Sequence, residues 1–443
     1  MLALHALWMV GAAPFVLLLL AIAVLPLIGA THHWWESNRS KAIVTIACAG
    51  SACAWMFATE PLPSVVSTIS HAMLGDYIPF MVLLGSLYIV AGGIAIRGDL
   101  VATPRTNTMI LAAGTLLASV LGTTGASVLL IRLLLTTNKE RTRVAHTVVF
   151  FIFLVSNIGG TLLPIGDPPL FLGYLRGVPF FWTLSLWIPW AFTSGCLLLV
   201  YFVIDSWMFR REPPAALAAD RTRQHRLHML GLPNFLLLGG ILASVILLVP
   251  GRPLFGTNEL VPHFAREGAM AAFAIASLAL TRSSIRAINE FSWGPIVEVA
   301  VLFFGIFLSM QVPLSALAAY GPSLGLDSPT EYFWATGTLS SLLDNAPTYL
   351  VFLTTATTVG VAAGASSVTL DDGAVVAVSH LAGISLGAVF MGANTYIGNG
   401  PNFMVKAIAE RSGVKMPGFF GYMAWAAVIL LPLFALVTVL FLR

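Results

Sequence analysis

The amino-acid sequence predicts an all-α protein that crosses the membrane many times. Of its 443 residues, 58% are hydrophobic and only 9% are charged, whereas soluble globular domains carry roughly 25% charged residues. Water cannot solvate a folded surface with so little charge, but lipid can cover it. The apolar runs are long, many close to the ~20 residues that a helix needs to cross a bilayer. The mean hydropathy of +0.90 agrees.

Ten apolar runs predict membrane spans, at 9–29, 41–59, 78–96, 144–163, 181–205, 233–250, 268–281, 293–318, 374–391 and 418–441. Two further apolar stretches, about 107–137 and 332–357, are interrupted by polar and small residues. We interpret these two as re-entrant helical hairpins, which enter the bilayer and return to the same side. The first run has no basic region ahead of it and is too long for a signal peptide, so we expect it to remain as the first span.

The basic residues predict the orientation. If the linker 206–232 is cytoplasmic, alternation of the spans makes these segments cytoplasmic too: 31–41, 97–106, 137–143, 282–290 and 405–417. Together they hold most of the 22 Lys and Arg residues, which is the positive-inside bias of membrane proteins. Both termini are then outside, and we expect a multi-pass protein of a bacterial inner (plasma) membrane. Because the net charge is only +3 and the basic residues lie in short loops, no nucleic-acid partner is expected.

Two halves of the chain resemble each other. Residues 119–127 correspond to 340–348, 165–171 correspond to 397–403, and His146 corresponds to His380, in the same order and at nearly one offset. This pattern predicts an internal duplication, with a first half at 1–205, the cytoplasmic linker and a second half at 233–443. Each half has a hairpin and a broken helix, the latter at about 144–175 and 374–410. The predicted orientation inverts one half relative to the other, an arrangement that supports alternating access.

Two stretches cannot continue as regular helix. Gly159–Pro169 and Gly392–Asn402 are rich in Gly and Pro, and proline removes a backbone donor and clashes with the preceding turn. Unwound backbone at membrane depth is tolerated only where it is buried in protein or lines a cavity. Such breaks expose carbonyl oxygens, which suit Na⁺, and N–H groups, which suit anions. Paired breaks therefore predict a transport site.

Polar side chains at the breaks and at the hairpin tips are the candidate ligands. The residues predicted to bind ion or substrate are Thr123, Thr124, Ser127, Ser156, Asn157, Gly159, Asp167, Asp344, Asn345, Thr348, Asn394, Thr395, Asn399 and Asn402. Na⁺ is a hard cation that prefers oxygen ligands. We therefore predict a Na⁺ site at Asp344, Asn345, Asn157 and Thr123, with Na⁺ and H⁺ as transported or coupling ions and no cofactor.

Asp344 is the strongest single candidate, because a carboxylate at the bilayer centre costs about 2.5–3.5 kcal/mol and therefore calls for a cation or a proton. Its alternative role is to cap a buried helix. Asp167 ranks second, since Asp before Pro also forms ordinary turns. His380 and His146 lie near the starts of the helices that lead to the breaks and are candidate proton relays, because histidine titrates near neutral pH. Packed structural histidines are the alternative.

Three motifs carry a family resemblance. They are Ser156-Asn-Ile-Gly-Gly-Thr-Leu-Leu-Pro-Ile-Gly-Asp-Pro-Pro169, Asp344-Asn-Ala-Pro347 and Asn394-Thr-Tyr-Ile-Gly-Asn-Gly-Pro-Asn402. They resemble the ion transporter superfamily, especially its branch of arsenite pumps and NhaD-type sodium/proton antiporters, with citrate-transporter-like relatives. The resemblance implies a homodimer with a scaffold and a transport domain that moves as an elevator and holds the hairpins and broken helices. Dicarboxylate-carrying relatives have Ser-Asn-Thr at both tips, which these tips do not share.

The favoured function is Na⁺/H⁺ antiport, because a carboxylate among neutral oxygen donors can bind Na⁺ and H⁺ in alternation. The alternative is Na⁺- or H⁺-coupled transport of an organic anion (citrate- or dicarboxylate-like) or of an arsenite-type oxyanion. The partner in either case is a small ion or molecule. An enzyme is not expected, since no nucleophile–base set or metal cluster is apparent. A phosphate-binding Gly-x-x-x-x-Gly-Lys-Ser/Thr motif is absent from the sequence, so ATP drive would need a separate subunit.

Overall fold

The computed structural model describes residues 2–222, 225–253 and 257–443. Helices of the first half and the linker are α1 (Leu2–Val24), α2 (Gly29–Trp35), α3 (Asn38–Thr59), α4 (Leu62–Ser70), α5 (Ile78–Ala91), α6 (Pro104–Thr137), α7 (Ala145–Leu154), α8 (Pro168–Leu175), α9 (Trp187–Phe209) and α10 (Pro214–Thr222). Helices of the second half are α11 (Pro233–Leu247), α12 (Ala265–Leu280), α13 (Ser283–Ile288), α14 (Gly294–Ser309), α15 (Gln311–Tyr320), α16 (Pro329–Leu342), α17 (Asn345–Thr357), α18 (Val378–Met391), α19 (Gly400–Arg411) and α20 (Phe419–Phe441).

Strands are few and short. β1 (Ala95–Asp99) pairs antiparallel with β2 (His225–Leu230), and β3 (Ser367–Thr369) pairs antiparallel with β4 (Val375–Ala377). Five helical stretches within the described residues are long and apolar enough to cross a membrane: Asn38–Thr59, Leu62–Ala91, Pro104–Thr137, Phe180–Phe209 and Phe419–Phe441. The prediction of an all-α polytopic membrane protein is confirmed.

α6 folds back on itself. A straight helix of 34 residues would be about 50 Å long, yet the side chains at its two ends touch. Asn107 Nδ2 donates to Asn138 Oδ1 at 2.9 Å, and Asn138 Nδ2 donates to Asn107 Oδ1 at 2.8 Å. The turn lies at Gly122, whose φ of 75° favours glycine. The segment 107–137 is therefore two antiparallel helical arms with a tip at Gly122.

The second predicted hairpin, 332–357, is formed by α16 and α17, which pack against each other and meet at Leu343 and Asp344. α16 also packs along α18. Another group of helices, drawn from both halves, also packs together. In it, α3 lies against α1 and α14, while α5 lies against α11 and α12.

Several predicted boundaries were wrong. The span predicted at 78–96 begins earlier, because helix runs from Leu62 to Ala91 through a π-helix at His71–Tyr77, and the strand β1 follows it. The sequence did not predict the part before residue 78, because polar residues interrupt its apolar run. One of them, Asp76, is buried and accepts a hydrogen bond from Arg176 Nη2 at 2.7 Å.

Three other segments also differ from prediction. The span predicted at 293–318 bends by 40° between α14 and α15. The span predicted at 374–391 begins with β4, so its helix starts only at Val378. The linker 206–232 contains α10 and β2, and residues 223 and 224 within it lie outside the described residues. The linker was predicted to be a loop because it is rich in charge, so its strand β2 and the pairing of β2 with β1 were not predicted.

Candidate functional site

Both predicted breaks interrupt helices in the same way. α7 ends at Leu154, a 3₁₀ turn covers Ile158–Thr161, and α8 begins at Pro168. α18 likewise ends at Met391, a 3₁₀ turn covers Gly392–Asn394, and α19 begins at Gly400. Each second half-helix is preceded by one extended residue and carries proline in its first turn.

The two extended residues, Asp167 and Asn399, have nearly the same backbone conformation. Their φ and ψ are −141° and 142° for Asp167, and −153° and 140° for Asn399. Each is the N-cap of its half-helix, yet neither side chain caps its own helix. Both side chains are therefore free to point elsewhere, and they meet: Asn399 Nδ2 donates to Asp167 Oδ1 at 3.0 Å.

A pair of glycines shapes each break. A Cβ atom on Gly166 would collide with the carbonyl oxygen of Gly160, and a Cβ on Gly398 would lie 2.6 Å from the carbonyl oxygen of Gly392. Real Cβ atoms do not approach so closely, and only glycine lets the two backbone segments touch. The glycines thus bring each loop back on itself and set the position of the N-cap that follows.

The Asp167 carboxylate is the point where four elements converge. It is 1% exposed. Thr123 Oγ1, at the tip of the α6 hairpin, donates to Asp167 Oδ1 at 2.9 Å. Asn345 Nδ2, at the start of α17, donates to Asp167 Oδ2 at 2.6 Å. With Asn399 from the second break, both hairpin tips and both breaks meet at one carboxylate, and we call these four residues the Asp167 cluster.

A second layer of neutral polar groups lies beside this cluster. Asn157 Nδ2 donates to Asn402 Oδ1 at 2.7 Å. Asn399 Nδ2 also donates to the carbonyl oxygen of Ser156 at 3.0 Å, and the hydroxyls of Ser156 and Ser127 lie 2.9 Å apart. All five side chains are buried, so these contacts tie the first break to the second away from water.

Three amide oxygens in this region lack a partner. Asn157 Oδ1, Asn345 Oδ1 and Asn394 Oδ1 are buried and accept no hydrogen bond from the described residues. Leaving such an atom unpaired costs about 1–3 kcal/mol, and amide oxygens are ligands that hard cations prefer. No group of three His, Cys, Asp or Glu residues that could hold a metal occurs in the described part of the chain. Amide and carboxylate oxygens of this kind suit a small hard cation.

The charge of Asp167 is offset only by neutral donors. Its hydrogen bonds come from one hydroxyl and two amides, with no Lys or Arg among them. Asp344 directly precedes Asn345, the residue that donates to Asp167 Oδ2. A buried carboxylate that is held by neutral donors favours the binding of a cation or a proton.

Asp344 itself makes the local contact that was its alternative role, the cap of a buried helix. Its Oδ1 accepts a hydrogen bond from the backbone N–H of Ala346 at 3.0 Å, so it caps α17. Thr348 Oγ1 donates to the carbonyl oxygen of Asp344 at 2.9 Å and is satisfied within its own helix. The structure therefore centres the polar network on Asp167, not on Asp344. Sequence alone could not show this difference between Asp167 and Asp344, because the contact of Asp344 with a backbone N–H is visible only in the structure.

The remaining candidates lie around the cluster. Thr124 lines a small cavity of about 70 Å³ beside the tip of α6. Asn394 Nδ2 donates to Ser341 Oγ at 2.8 Å, and Thr395 Oγ1 donates to the carbonyl oxygen of Ser341 at 2.6 Å. The carbonyl oxygen of Gly159 accepts from Ser119 Oγ at 2.5 Å. Sequence reasoning missed Ser119 and Ser341 as supports, although both stand in the aligned hairpin segments.

His146 lies in a different cluster. Its Nε2 is 2.8 Å from Asp205 Oδ1, and Arg141 Nη2 is 2.6 Å from the same oxygen. Asn107 Nδ2 also donates to Asp205, at 3.2 Å. Sequence reasoning missed Arg141 and Asp205; the only signal was an Asp in the last turns of an apolar run. We call these four residues the Asp205 cluster.

Glu212 continues this network outside the spanning helices. Its carboxylate accepts hydrogen bonds from the backbone N–H groups of Thr142 and Arg143, each at 2.9 Å. Burial alone would raise the pKa of Glu212, but these bonds and the Arg141 charge outweigh it and hold the pKa below its usual range. Glu212 thus stays ionised at neutral pH and helps to anchor the chain after α6.

His380 makes its hydrogen-bond contact outside the Asp167 cluster. Its Nε2 is 3.2 Å from the carbonyl oxygen of Asp327, and its ring packs against Tyr332 with centroids 4.9 Å apart. His380 lies at the start of α18, and these are the contacts of a histidine that packs against the start of α16. A relay role for His380 or His146 stays a prediction.

A family model described as "Putative citrate transport" matches residues 4–442, which is nearly the whole chain. No curated protein matches the sequence.

Proposed function

Because the chain belongs to the family described as "Putative citrate transport", we propose that it is a secondary transporter whose coupling cation binds at Asp167. The observation that carries this proposal is the buried Asp167 carboxylate, which is held by Thr123, Asn345 and Asn399 and has no basic partner among the described residues. A small cation bound there would also find the unpaired oxygens of Asn157 and Asn345 nearby. We further propose that this cation is Na⁺.

Na⁺/H⁺ antiport is the function that this arrangement supports best. Asp167 can carry either a proton or a Na⁺ ion, since protonation removes the charge that Na⁺ requires. Protonation also leaves the neutral donors of Thr123, Asn345 and Asn399 with a weaker acceptor, so the cluster loosens. One carboxylate thereby exchanges the two ions without a cofactor, and the exchange follows their concentration gradients.

The matched geometry of the two breaks supports alternating access. Asp167 and Asn399 share a backbone conformation, and paired glycines close both loops, which favours two duplicated and inverted halves. In the proposed motion, the hairpins and broken helices move as an elevator against a scaffold that includes α1, α3, α5, α11, α12 and α14. We propose a homodimer in a bacterial inner membrane, with 206–232 in the cytoplasm.

The second candidate function is Na⁺- or H⁺-coupled transport of an organic anion such as citrate, or of an arsenite-type oxyanion. The family description favours it. α8 and α19 also begin at the breaks, so the positive ends of their helix dipoles lie there and attract anions. In this case Na⁺ or H⁺ at Asp167 would bind first and reduce the negative charge that an anion meets.

Reconstituted liposomes separate the two candidates. Purified protein is placed in liposomes that contain a pH-sensitive dye, and an outward Na⁺ gradient is imposed with and without external citrate. Antiport predicts that protons enter as Na⁺ leaves, with no citrate requirement. Proton movement only in the presence of citrate, together with uptake of labelled citrate, would instead establish the second candidate. No ion or anion flux under any gradient would contradict both.

A further inference from the structure

A large basic cavity lies at one end of the α6 hairpin. Its volume is about 950 Å³, and it is bounded by the second arm of α6, the loop after it, the end of α9 and the loop at 412–415. Six of its lining residues are cationic: Arg132, Lys139, Arg141, Arg143, Arg211 and Lys415. No Asp or Glu is among the described residues that line it.

Two of these cations are already neutralised. Arg132 pairs with Glu290 at 3.0 Å, and Arg141 pairs with Asp205 at 2.6 Å. The other four form no ion pair with any carboxylate in the part of the chain that the structure describes. Arg211 instead stacks on the ring of Trp207, 3.5 Å from its centroid. The cavity thus holds more positive charge than the neighbouring carboxylates Glu290, Asp205 and Glu212 balance.

The cavity is separate from the Asp167 cluster. Thr136 lines the cavity and Thr123 contacts Asp167, and both belong to the same helical arm. At 1.5 Å per residue, the two positions are about 20 Å apart. An anion in the cavity therefore does not occupy the cation site.

We propose that this cavity binds a multivalent anion through its phosphate or carboxylate groups. Cations from three chain segments converge on it, and a guanidinium group can donate two parallel hydrogen bonds to either kind of oxyanion. A monovalent ion such as chloride would balance only one charge. The two sources of this chemistry are a free polyanion and the headgroup of an anionic phospholipid.

The experiment measures thermal unfolding of the full chain in nanodiscs. In one arm, the lipid is zwitterionic phosphatidylcholine and inorganic pyrophosphate is titrated against chloride at equal ionic strength. In the other arm, phosphatidylglycerol is added to the lipid. Stabilisation by a free anion identifies a soluble ligand, whereas stabilisation by phosphatidylglycerol alone identifies a headgroup. Either result supports the proposal, and no stabilisation in either arm overturns it.

Matched variants locate the effect. Arg143→Gln and Lys415→Gln are both exposed changes in the cavity lining, and each should weaken apparent binding by about ten-fold. Lys406→Gln is the control, because Lys406 pairs with Glu410 on α19 and does not line the cavity. If Lys406→Gln weakens binding as much as the cavity variants do, the anion is held by general surface charge and the proposal fails. Each variant carries a single substitution and is measured by itself.

Discussion

The molecule buries two aspartates in opposite ways. Asp205 lies beside basic side chains, with Arg141 Nη2 at 2.6 Å and His146 Nε2 at 2.8 Å from one carboxylate oxygen. Asp167 is just as buried, but its partners are the neutral side chains of Thr123, Asn345 and Asn399. A charge paired inside the protein is a structural element, whereas a charge held by dipoles alone remains available to an external ion. Asp205 therefore stabilises the fold, whereas Asp167 is the carboxylate that we propose binds an ion.

The largest expected effect is on transport. Asp167→Asn removes the negative charge but keeps the size of the side chain, so neither Na⁺ nor a proton is bound. Ion flux in the liposome assay should fall by roughly 100-fold, the equivalent of losing a buried charge interaction of about 3 kcal/mol. Elution as a single peak in size-exclusion chromatography would show that the variant is folded. Flux near the wild-type rate would remove Asp167 from the mechanism.

The Asp205 cluster should show the converse pattern. Arg141→Met leaves the Asp205 carboxylate buried without its guanidinium partner, which should cost about 3–5 kcal/mol of stability. The midpoint of thermal unfolding should drop clearly, while flux per folded molecule should change little. The double variant Arg141→Met/Asp205→Asn is the control, and it should recover part of the loss. A double variant no more stable than the single one would argue against pairing as the cause.

The glycine pairs test whether both breaks must keep their shape. Gly166→Ala and Gly398→Ala each force a Cβ against backbone oxygen, and overpacking of this kind costs about 1–3 kcal/mol. Flux should decrease in both variants, because the N-caps Asp167 and Asn399 shift. Gly400→Ala is the matched control, since a Cβ there meets nothing within 4 Å. Equal effects at Gly398 and Gly400 would contradict the close-approach argument.

The smallest effect is expected at Asp344. Asn caps a helix about as well as Asp, so Asp344→Asn should leave thermal stability nearly unchanged. It removes a negative charge near Asp167, which should weaken the apparent Na⁺ affinity of transport by about ten-fold at most. Complete loss of flux in Asp344→Asn, with flux retained in Asp167→Asn, would restore the ranking that the sequence suggested.

The sequence predicted the parts of the site that depend on local chemistry. Gly and Pro clusters identified both breaks, because these residues disrupt helix wherever they occur. The polar tips were visible because a hydroxyl or amide is conspicuous in an apolar run. Which tip contacts which break could not be predicted, since Asn345 and Asn399 are 178 and 232 residues from Asp167 in the chain.

Long-range pairing also explains what was missed. Arg141 and Asp205 are 64 residues apart, and each looks like an ordinary charge at the end of a span. The strand β2 was missed for the same reason, because only its pairing with β1 makes it a strand. Asp344 was placed first because a charge in an apolar stretch is obvious in the sequence, while its contact with the backbone of Ala346 is not.

Direct binding of Na⁺ tests the central claim most sharply. Equilibrium binding of radioactive ²²Na⁺ to the purified chain would be measured as the pH is lowered, for the wild type, Asp167→Asn and Asp205→Asn. Saturable binding that protons displace should be present in the wild type and in Asp205→Asn, and absent from Asp167→Asn. Undiminished Na⁺ binding by Asp167→Asn would contradict the assignment of the cation site.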